Sequence, residues 1–401
     1  MLRRLLPLLL LIPISYSFRP LFWTPLDHRF YNYFQSKRPL PPWEKVVVVG
    51  IDEATVDRCF ERPVYPLSRH VSQHVLVTDC LADAGAAAII FDLELSEEMF
   101  LETPALLAEA FRRAGTVYLI KSVHVSRRRS ARQEEIVTIR ETLPHPMLVS
   151  AARGAYISPV ELDTDGRFRR YRPRRMIEGS RYEGLPEVLA GFSGEDPVPI
   201  DTPSRDVPVP VVSYKDIVSK DPAACGDIAG RIVFVGSLVS SSNDFVMVAR
   251  EAMLPDGRMT RNIPGVIALA AITENLARIP DLRDAPRYAL LLWLISWSVL
   301  AVILLPRRKP AFSAAILVGI AFLSLALTGL LHVYSGLILP AGFLLGTLFI
   351  CGIYTVITLN LQTIRELYAE EAEISRVQKE METARAIQVS FLPAEIPRWP
   401  G

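Results

Sequence analysis

Residues 288–305, 311–331 and 337–359 are three apolar runs, and none contains Asp, Glu, Lys or Arg. A helix rises about 1.5 Å per residue and the hydrocarbon core of a bilayer is about 30 Å thick, so each run is long enough to span. Charge in hydrocarbon is costly, which accounts for its absence from all three. The other way to hide such a run is inside a soluble core, and three nearly back to back argue against that. The sequence therefore predicts a membrane unit of three α-helices over residues 287–360, with a long segment before it and a charged tail after it.

The loops set the orientation. Residues 306–310, Pro-Arg-Arg-Lys-Pro, form a short basic loop of the kind kept on the cytoplasmic side, whereas 332–336 carries no Lys or Arg. Residues 24–286 are then outside and the tail from 361 is inside. At the N-terminus, Arg3 and Arg4 precede a short apolar stretch broken by Pro7 and Pro13. It is either a cleaved signal peptide or an uncleaved anchor. The bulky flank from Phe18 to Trp23 lacks a small-x-small site and favours an anchor over residues 1–23. The expected location is the inner (plasma) membrane, multi-pass, with membrane lipid as a partner.

A formal net charge of +1 gives no case for a nucleic-acid partner. Cys59, Cys80 and Cys225 fall in the external segment and Cys351 in a span. An odd external count argues against a disulfide framework; one pair could form in an oxidising compartment, and spacing alone does not say which.

Within the external segment, Val46-Val47-Val48-Val49-Gly50-Ile51 is an unbroken β-branched run, the mark of a strand buried on both faces. Ser68 precedes a helical pattern of Val71, Val75, Leu76 and Leu81 that stops at Gly85. Residues 86–95 form a second buried strand. A helix follows from Thr103-Pro104 to Gly115, then a third strand over 116–123. This β-α-β-α-β order predicts an α/β domain with a mostly parallel, helix-covered sheet. Residues 161–170 read as a strand, a tight Asp165-Gly166 turn and another strand. Residues 231–237 are again a buried strand, and Pro264 opens a helix whose apolar side is Val266, Ile267, Leu269, Ala270, Ile272 and Leu276. Val47, Val49, Ile89, Phe91, Val233 and Val235 are expected in the core.

The ordered set of segments resembles the type-two CHASE (CHASE2) domain, an extracytoplasmic sensor of bacterial membrane receptors. It is carried by Val47–Glu53, by Ala84-Gly85-Ala86 with Ile89-Ile90-Phe91-Asp92, and by Asp163-x-Asp165-Gly166 with Arg169-Arg170. Val212-Ser213-Tyr214, residues 230–236, Asn243-Asp244-Phe245, Pro264-Gly265-Val266 and Asn275-Leu276 follow in order. The likeness covers about residues 40 to 280 and departs over 126–141. It implies an N-terminal anchor, an external sensor domain over 24–286 and three spans.

Asp52, Glu53, Asp92 and Glu94 are expected at the carboxyl ends of two adjacent strands, where open α/β sheets bind ligands. Clustered carboxylates suit a hard cation or an amine, and Arg169 or Arg170 adds an anion contact. The plainer reading carries more weight: Asp52 and Asp92 cap the loops that follow and pair with an Arg. Gly236-Ser237 with Ser240–Ser242 is a polar loop before it is an anion cradle. His70 and His74 have helical metal-ligand spacing, but no His-Glu-x-x-His motif supports a zinc hydrolase, so no metal or cofactor is assigned to this chain. Arg127–Arg129 is read as a solvated loop face.

After residue 360 the pattern becomes a charged helix. Leu367, Ile374, Val377, Met381 and Ala384 recur at three-four spacing, a heptad seam interrupted by Glu370 and Gln388. A surface-lying helix is the alternative, but its acidic face would be repelled by an anionic leaflet. A parallel homodimeric coiled coil continuing from the last span fits better. Residues 384–393, Ala-Arg-Ala-Ile-Gln-Val-Ser-Phe-Leu-Pro, with Pro397 and Gly401, resemble the linker entering the sporulation stage II protein E class of metal-dependent serine/threonine phosphatases. That resemblance implies a catalytic domain with two Mn²⁺ or Mg²⁺ ions beyond Gly401; no Asp follows Asp284, so this chain lacks the ion-binding aspartates. The leading expectation is a transmembrane receptor for an unknown small-molecule or protein signal. The competing ones are an enzyme working at the external carboxylates and a membrane scaffold that only dimerises.

Overall fold

The computed structural model describes residues 24–60, 70–97, 104–129, 135–158, 160–173, 175–177, 179–221, 225–226, 228–239, 244–278, 282–304 and 310–391. The expected anchor 1–23, the helix cap Ser68, Ser240–Ser242, Arg307-Arg308-Lys309 of the basic loop and the phosphatase-like residues from 392 lie outside them. Two compact units are present among the described residues: one within 28–285 and 328–339, the other within 24–27, 286–327 and 340–391.

The larger unit is an α/β sandwich. Its strands are β1 (Val46–Ile51), β2 (Ala88–Asp92), β3 (Val117–Arg129), β4 (Glu135–Thr142), β5 (Ala155–Ile157), β6 (Val211–Ser213) and β7 (Ile232–Ser237). The order across the sheet is β6-β1-β7-β2-β3, after which β4 and β5 both pair with β3. Every pairing is parallel except β3 with β4. β1 and β2, expected side by side, are therefore separated by β7, which pairs with both. Right-handed crossovers allow a strand to be skipped, and apolar β-branched runs carry no code for which neighbour they take.

Successive residues point to opposite faces. Val47, Val49, Ile89, Phe91, Val233 and Val235, all fully buried, face one layer. That layer is α2 (Glu53–Cys59), α3 (Val71–Asp83), α4 (Ala105–Ala114), α5 (Pro146–Ala151) and α7 (Tyr214–Val218), with α1 (Thr24–Lys37) ahead of them in the chain and α6 (Leu185–Ala190) between the last two. Val46, Val48, Ile90 and Phe234 face the other layer, formed by α6, by a hairpin of β8 (Phe245–Met253) and β9 (Met259–Pro264), and by α8 (Gly265–Ala277). The core expected for the sheet is thus the core found. α8 also holds a buried carboxylate: Glu274 accepts the backbone N–H groups of Glu44, Lys45 and Val46 at 3.1, 2.8 and 3.0 Å, fixing the start of β1.

Two local expectations change. Residues 161–163 form no strand; the turn is present, with Gly166 at φ 75° and its N–H bonded to Asp163 O, and the strand after it is reduced to Arg170-Tyr171, paired with Val198-Pro199, behind a bridge from Phe168 to Val248. Arg127–Arg129 are not a loop: they end the long strand β3 and pair with residues 135–137 of β4.

In the smaller unit, α9 (Arg287–Leu304), α10 (Pro310–Ser335) and α11 (Ala341–Phe391) follow in order, α10 running on into the larger unit at Thr328. Two of these, over Ala315–Ser335 and from Ala341 onward, are long and apolar enough to cross a membrane by length and composition. The last begins four residues later than the apolar run suggests. Leu337 and Ile338 instead pair with Arg283 and Asp284, Gly336 at φ 66° ends α10, and Pro340 precedes the new helix. Trp297, Ile320 and Leu348 join the three helices, and Trp293 Nε1 donates to Ser324 Oγ at 3.3 Å.

Candidate functional site

The carboxyl edge of the sheet divides the predicted carboxylates. Asp52 leaves β1 and caps α2: it accepts from Thr55 N and Thr55 Oγ1, both at 2.7 Å, and from Ser213 Oγ at 2.8 Å. Burial pushes its carboxyl up, but the hydrogen bonds from Thr55 and Ser213 outweigh that and hold it below the usual range. Glu53 is exposed in the first turn of α2. Glu94 is exposed beyond the end of β2.

Asp92, the last residue of β2, is in different surroundings. It lies beside Gly236 of β7, where an added Cβ would meet Val266 Cγ2 at 2.7 Å and Asp92 Cβ at 3.3 Å. The glycine lets the first turn of α8 close onto the strand end. Asp244 completes the corner: its carbonyl accepts from Gly265 N at 2.9 Å, and its carboxylate lies over the Gly265 Cα, 2.4 Å from where a Cβ would be. Burial, then the nearby Asp244 charge, push half-buried Asp92 up to about 7; partial desolvation raises Asp244 as well, although that residue stays exposed to solvent. So Asp92 and Asp244 lie near enough at the opening turn of a 13-residue helix for one charge to act on the other, and no ion pair is found for either among the described residues. Asp244 was not singled out for this role from sequence, although it stands in the Asn243-Asp244-Phe245 piece of the family resemblance.

Arg169 belongs to neither carboxylate site. It is 1% exposed and bound in a knot. Nη1 donates to Asp163 Oδ2 and Asp165 Oδ1, both at 2.7 Å, Nη2 to Asp165 Oδ2 at 2.6 Å, and Nε to Asn32 Oδ1 of α1 at 3.0 Å. The guanidinium also sits 5.8 Å from the Tyr31 ring centroid. His28 is 3.9 Å from Asp163 and 3.8 Å from Asp165, which makes a His-Asp-Asp trio of the kind that can hold a metal. The fit is poor: the two distances use opposite ring nitrogens, and the carboxylate oxygens facing His28 are the ones Arg169 already holds. A cation there is already supplied, by the protein. Arg170 is spent on Asp284, at 2.8 Å. His74 donates or accepts at Tyr214 Oη (2.7 Å), and His70 stacks on Phe60, so neither is arranged as a ligand pair.

A second buried polar group had no sequence signal. Gln35 Nε2 donates to Asp201 Oδ1 at 2.6 Å, and His332 Nε2 donates to Gln35 Oε1 at 3.0 Å. Arg38 and Arg250 reach Asp201 at 3.5 and 3.8 Å, and Arg38 Nη1 donates to His332 O and Val333 O at 3.3 and 3.4 Å. These residues come from α1, a loop, β8 and the end of α10, so periodicity within any one element does not connect them. An apolar open cleft of about 360 Å³ lies elsewhere, between Pro203, Pro208 and Pro210 and the hairpin residues Met253, Leu254 and Ile263.

No curated protein and no solved structure matches this chain. A family model, the CHASE2 domain, matches residues 7–303, well over half of it. CHASE2 is an extracellular sensor domain of signalling receptors. A mostly parallel sheet covered on both faces and apolar helices after it accompany that match, and the chain belongs to the CHASE2 domain family.

Proposed function

We propose that this chain is the sensing and transmitting part of a multi-pass plasma-membrane receptor. Residues 24–286 are the external sensor, 287–360 the three spans behind an N-terminal anchor 1–23, and 361–401 a cytoplasmic signalling helix. The observation that carries the reading is α11. It is one unbroken helix of 51 residues that is apolar at its start and exposed along its charged second half. A signal that alters the helix at one end reaches the other without a joint in between.

Leu367, Ile374, Val377 and Met381 are 50–66% exposed in the single chain, and Ala384 is exposed with them. In the proposal they are the seam of a parallel homodimer. Such a seam is too short to pair well in water, but tethering in the membrane raises its effective concentration toward the millimolar range. Single cysteines at Ile374 or Met381, in a background without native cysteines, should crosslink between chains in membranes, and cysteines at Glu373 and Lys379 should not. Equal crosslinking at all four positions removes the seam.

The output is a metal-dependent serine/threonine phosphatase domain joined after residue 401, which would hold the Mn²⁺ or Mg²⁺; this chain needs no cofactor of its own. The codons after Gly401 test that directly, because an immediate stop or an unrelated domain rejects it. Asp92 with Asp244 is the leading ligand site, suited to a cation or an amine; Asp52, Glu53 and Glu94 line the same edge in outer roles, and Arg169 supports the fold. A ligand signals only if it binds two states differently. Turnover of that ligand by the full chain would replace the sensor reading with an enzymatic one.

A further inference from the structure

The cysteine question that spacing leaves open has a geometric answer. Cys80, late in α3, and Cys225, between α7 and β7, are 145 residues apart, yet their sulfurs are 3.3 Å from one another. The approach does not depend on the sulfurs. Gly230 N donates to Gly85 O and Ala87 N to Arg231 O, both at 2.9 Å, so the end of α3 is clamped to the segment that leads from Cys225 into β7. Ile228, fully buried three residues after Cys225, packs in the same core layer as Leu81, next to Cys80 in sequence. Cys59, at the end of α2, is also a half-buried free thiol and has no sulfur partner among the described residues.

We infer that Cys80 and Cys225 are joined by an intramolecular disulfide in the mature receptor, leaving Cys59 as a free thiol. A disulfide sulfur pair lies about 2.05 Å apart, so a modest rotation of either side chain closes the gap. The family's extracytoplasmic location supplies the oxidising setting in which such bonds persist. Burial, and then the hydrogen bond with Cys225, push the Cys80 thiol up to about 11. Cys80 is therefore assigned the second, resolving step, and the exchange is written from Cys225. Its thiolate attacks a disulfide of a dithiol oxidoreductase or of oxidised glutathione, forming a mixed disulfide and releasing one thiolate. Cys80 then loses its proton and attacks the Cys225 sulfur, releasing the second thiolate. The two cysteines lose two electrons and two protons; the oxidant's disulfide takes up both.

The test uses the full chain. Protein taken from membranes is acid-quenched, denatured, labelled with N-ethylmaleimide without reductant and mapped by mass spectrometry. The expected result is a labelled Cys59 and a linked Cys80–Cys225 peptide that dithiothreitol abolishes. Labelled Cys80 or Cys225, or a link involving Cys59, overturns the proposal. In a second arm, protein purified reduced is given oxidised glutathione and should lose two thiols per chain into the same linked peptide. If this arm fails, the pairing is wrong. If it succeeds while membrane-derived protein is reduced, the inference about the mature receptor is wrong because of where the domain resides, with the geometry intact. Cys80→Ser should leave Cys225 fully labelled in membrane-derived protein and trapped as its glutathione mixed disulfide, unlinked to any other cysteine, in the glutathione arm; a new Cys59–Cys225 link would show that the pair is not geometrically selected and would also overturn it.

Discussion

At the Asp163–Gly166 turn, two carboxylates share one buried guanidinium; at the carboxyl edge of the sheet, Asp92 and Asp244 share only each other. Arg169 draws Asp165 below its ordinary range, first through its hydrogen bonds and against some opposing burial. The other pair is raised, Asp92 to about 7. The two clusters look alike in sequence, as short runs of acid near turns. They differ in whether the fold provides the counter-charge. Where it does, the carboxylates are structural; where it does not, proton or ligand binding has free energy left to gain.

The largest effect that would sharpen this contrast is at the knot. Arg169→Met leaves two partly exposed carboxylates facing an apolar side chain. It should cost about 3 kcal/mol, toward the low end for a broken buried pair because both acids reach water. Urea unfolding of the detergent-solubilised chain would show it as a lowered midpoint at constant slope. Arg169→Lys should recover less than half, since an ammonium cannot serve both carboxylates in forked geometry. A loss under about 1 kcal/mol for Met would erase the distinction between the clusters.

Asp92 comes next, and its sign is opposite. The folded-state carboxyl titrates near 7 and the unfolded one near 3.8. Between those values the native state keeps a proton that the unfolded chain has released, so stability falls as pH rises from about 4 to about 7 and is level above. Asp92→Asn should remove that fall, making the variant more stable than wild type at pH 8 by on the order of 2 kcal/mol and nearly equal to it at pH 4. Melts of the two proteins across that range decide the matter. Equal destabilisation at both ends would make Asp92 structural, like Asp165.

Smaller still is Asp52. Asp52→Ala removes a helix cap and should cost about 1 kcal/mol, whereas Asp52→Asn keeps the cap and should change stability by a few tenths. Because its folded pKa is depressed, its contribution is present above about 4 and lost on acidification. Glu94→Gln, on an exposed side chain, should fall within about 0.5 kcal/mol of wild type.

The strands themselves were legible because four-valine and Ile-Ile-Phe runs are hard to place anywhere but inside a sheet. The interposition of β7 between β1 and β2 was not, since it rests on pairing between residues far apart in the chain. The Asp165-Gly166 turn announced itself through glycine chemistry, but Arg169 did not announce its burial, because a charged residue in sequence carries no sign of having partners. The Arg127–Arg129 segment was misread for the same reason: three arginines suggest solvent, while the backbone continues as a strand. Asp244 needed the β8–β9 hairpin to bring it to the start of α8, and a short Asn-Asp-Phe string does not encode that.

The His332–Gln35–Asp201 chain of hydrogen bonds sets a register between α1 and the final turns of α10. Arg38 adds to it by grasping the carbonyls of His332 and Val333. A slide by one helical turn, about 5.4 Å, would carry all of these donors past their acceptors at once. Intermediate positions would leave buried amide and guanidinium groups unmatched, each at a cost of about 1–3 kcal/mol. The joint thus behaves as a mechanism with detents: it holds one position firmly, resists gradual creep, and would move, if driven, in whole steps.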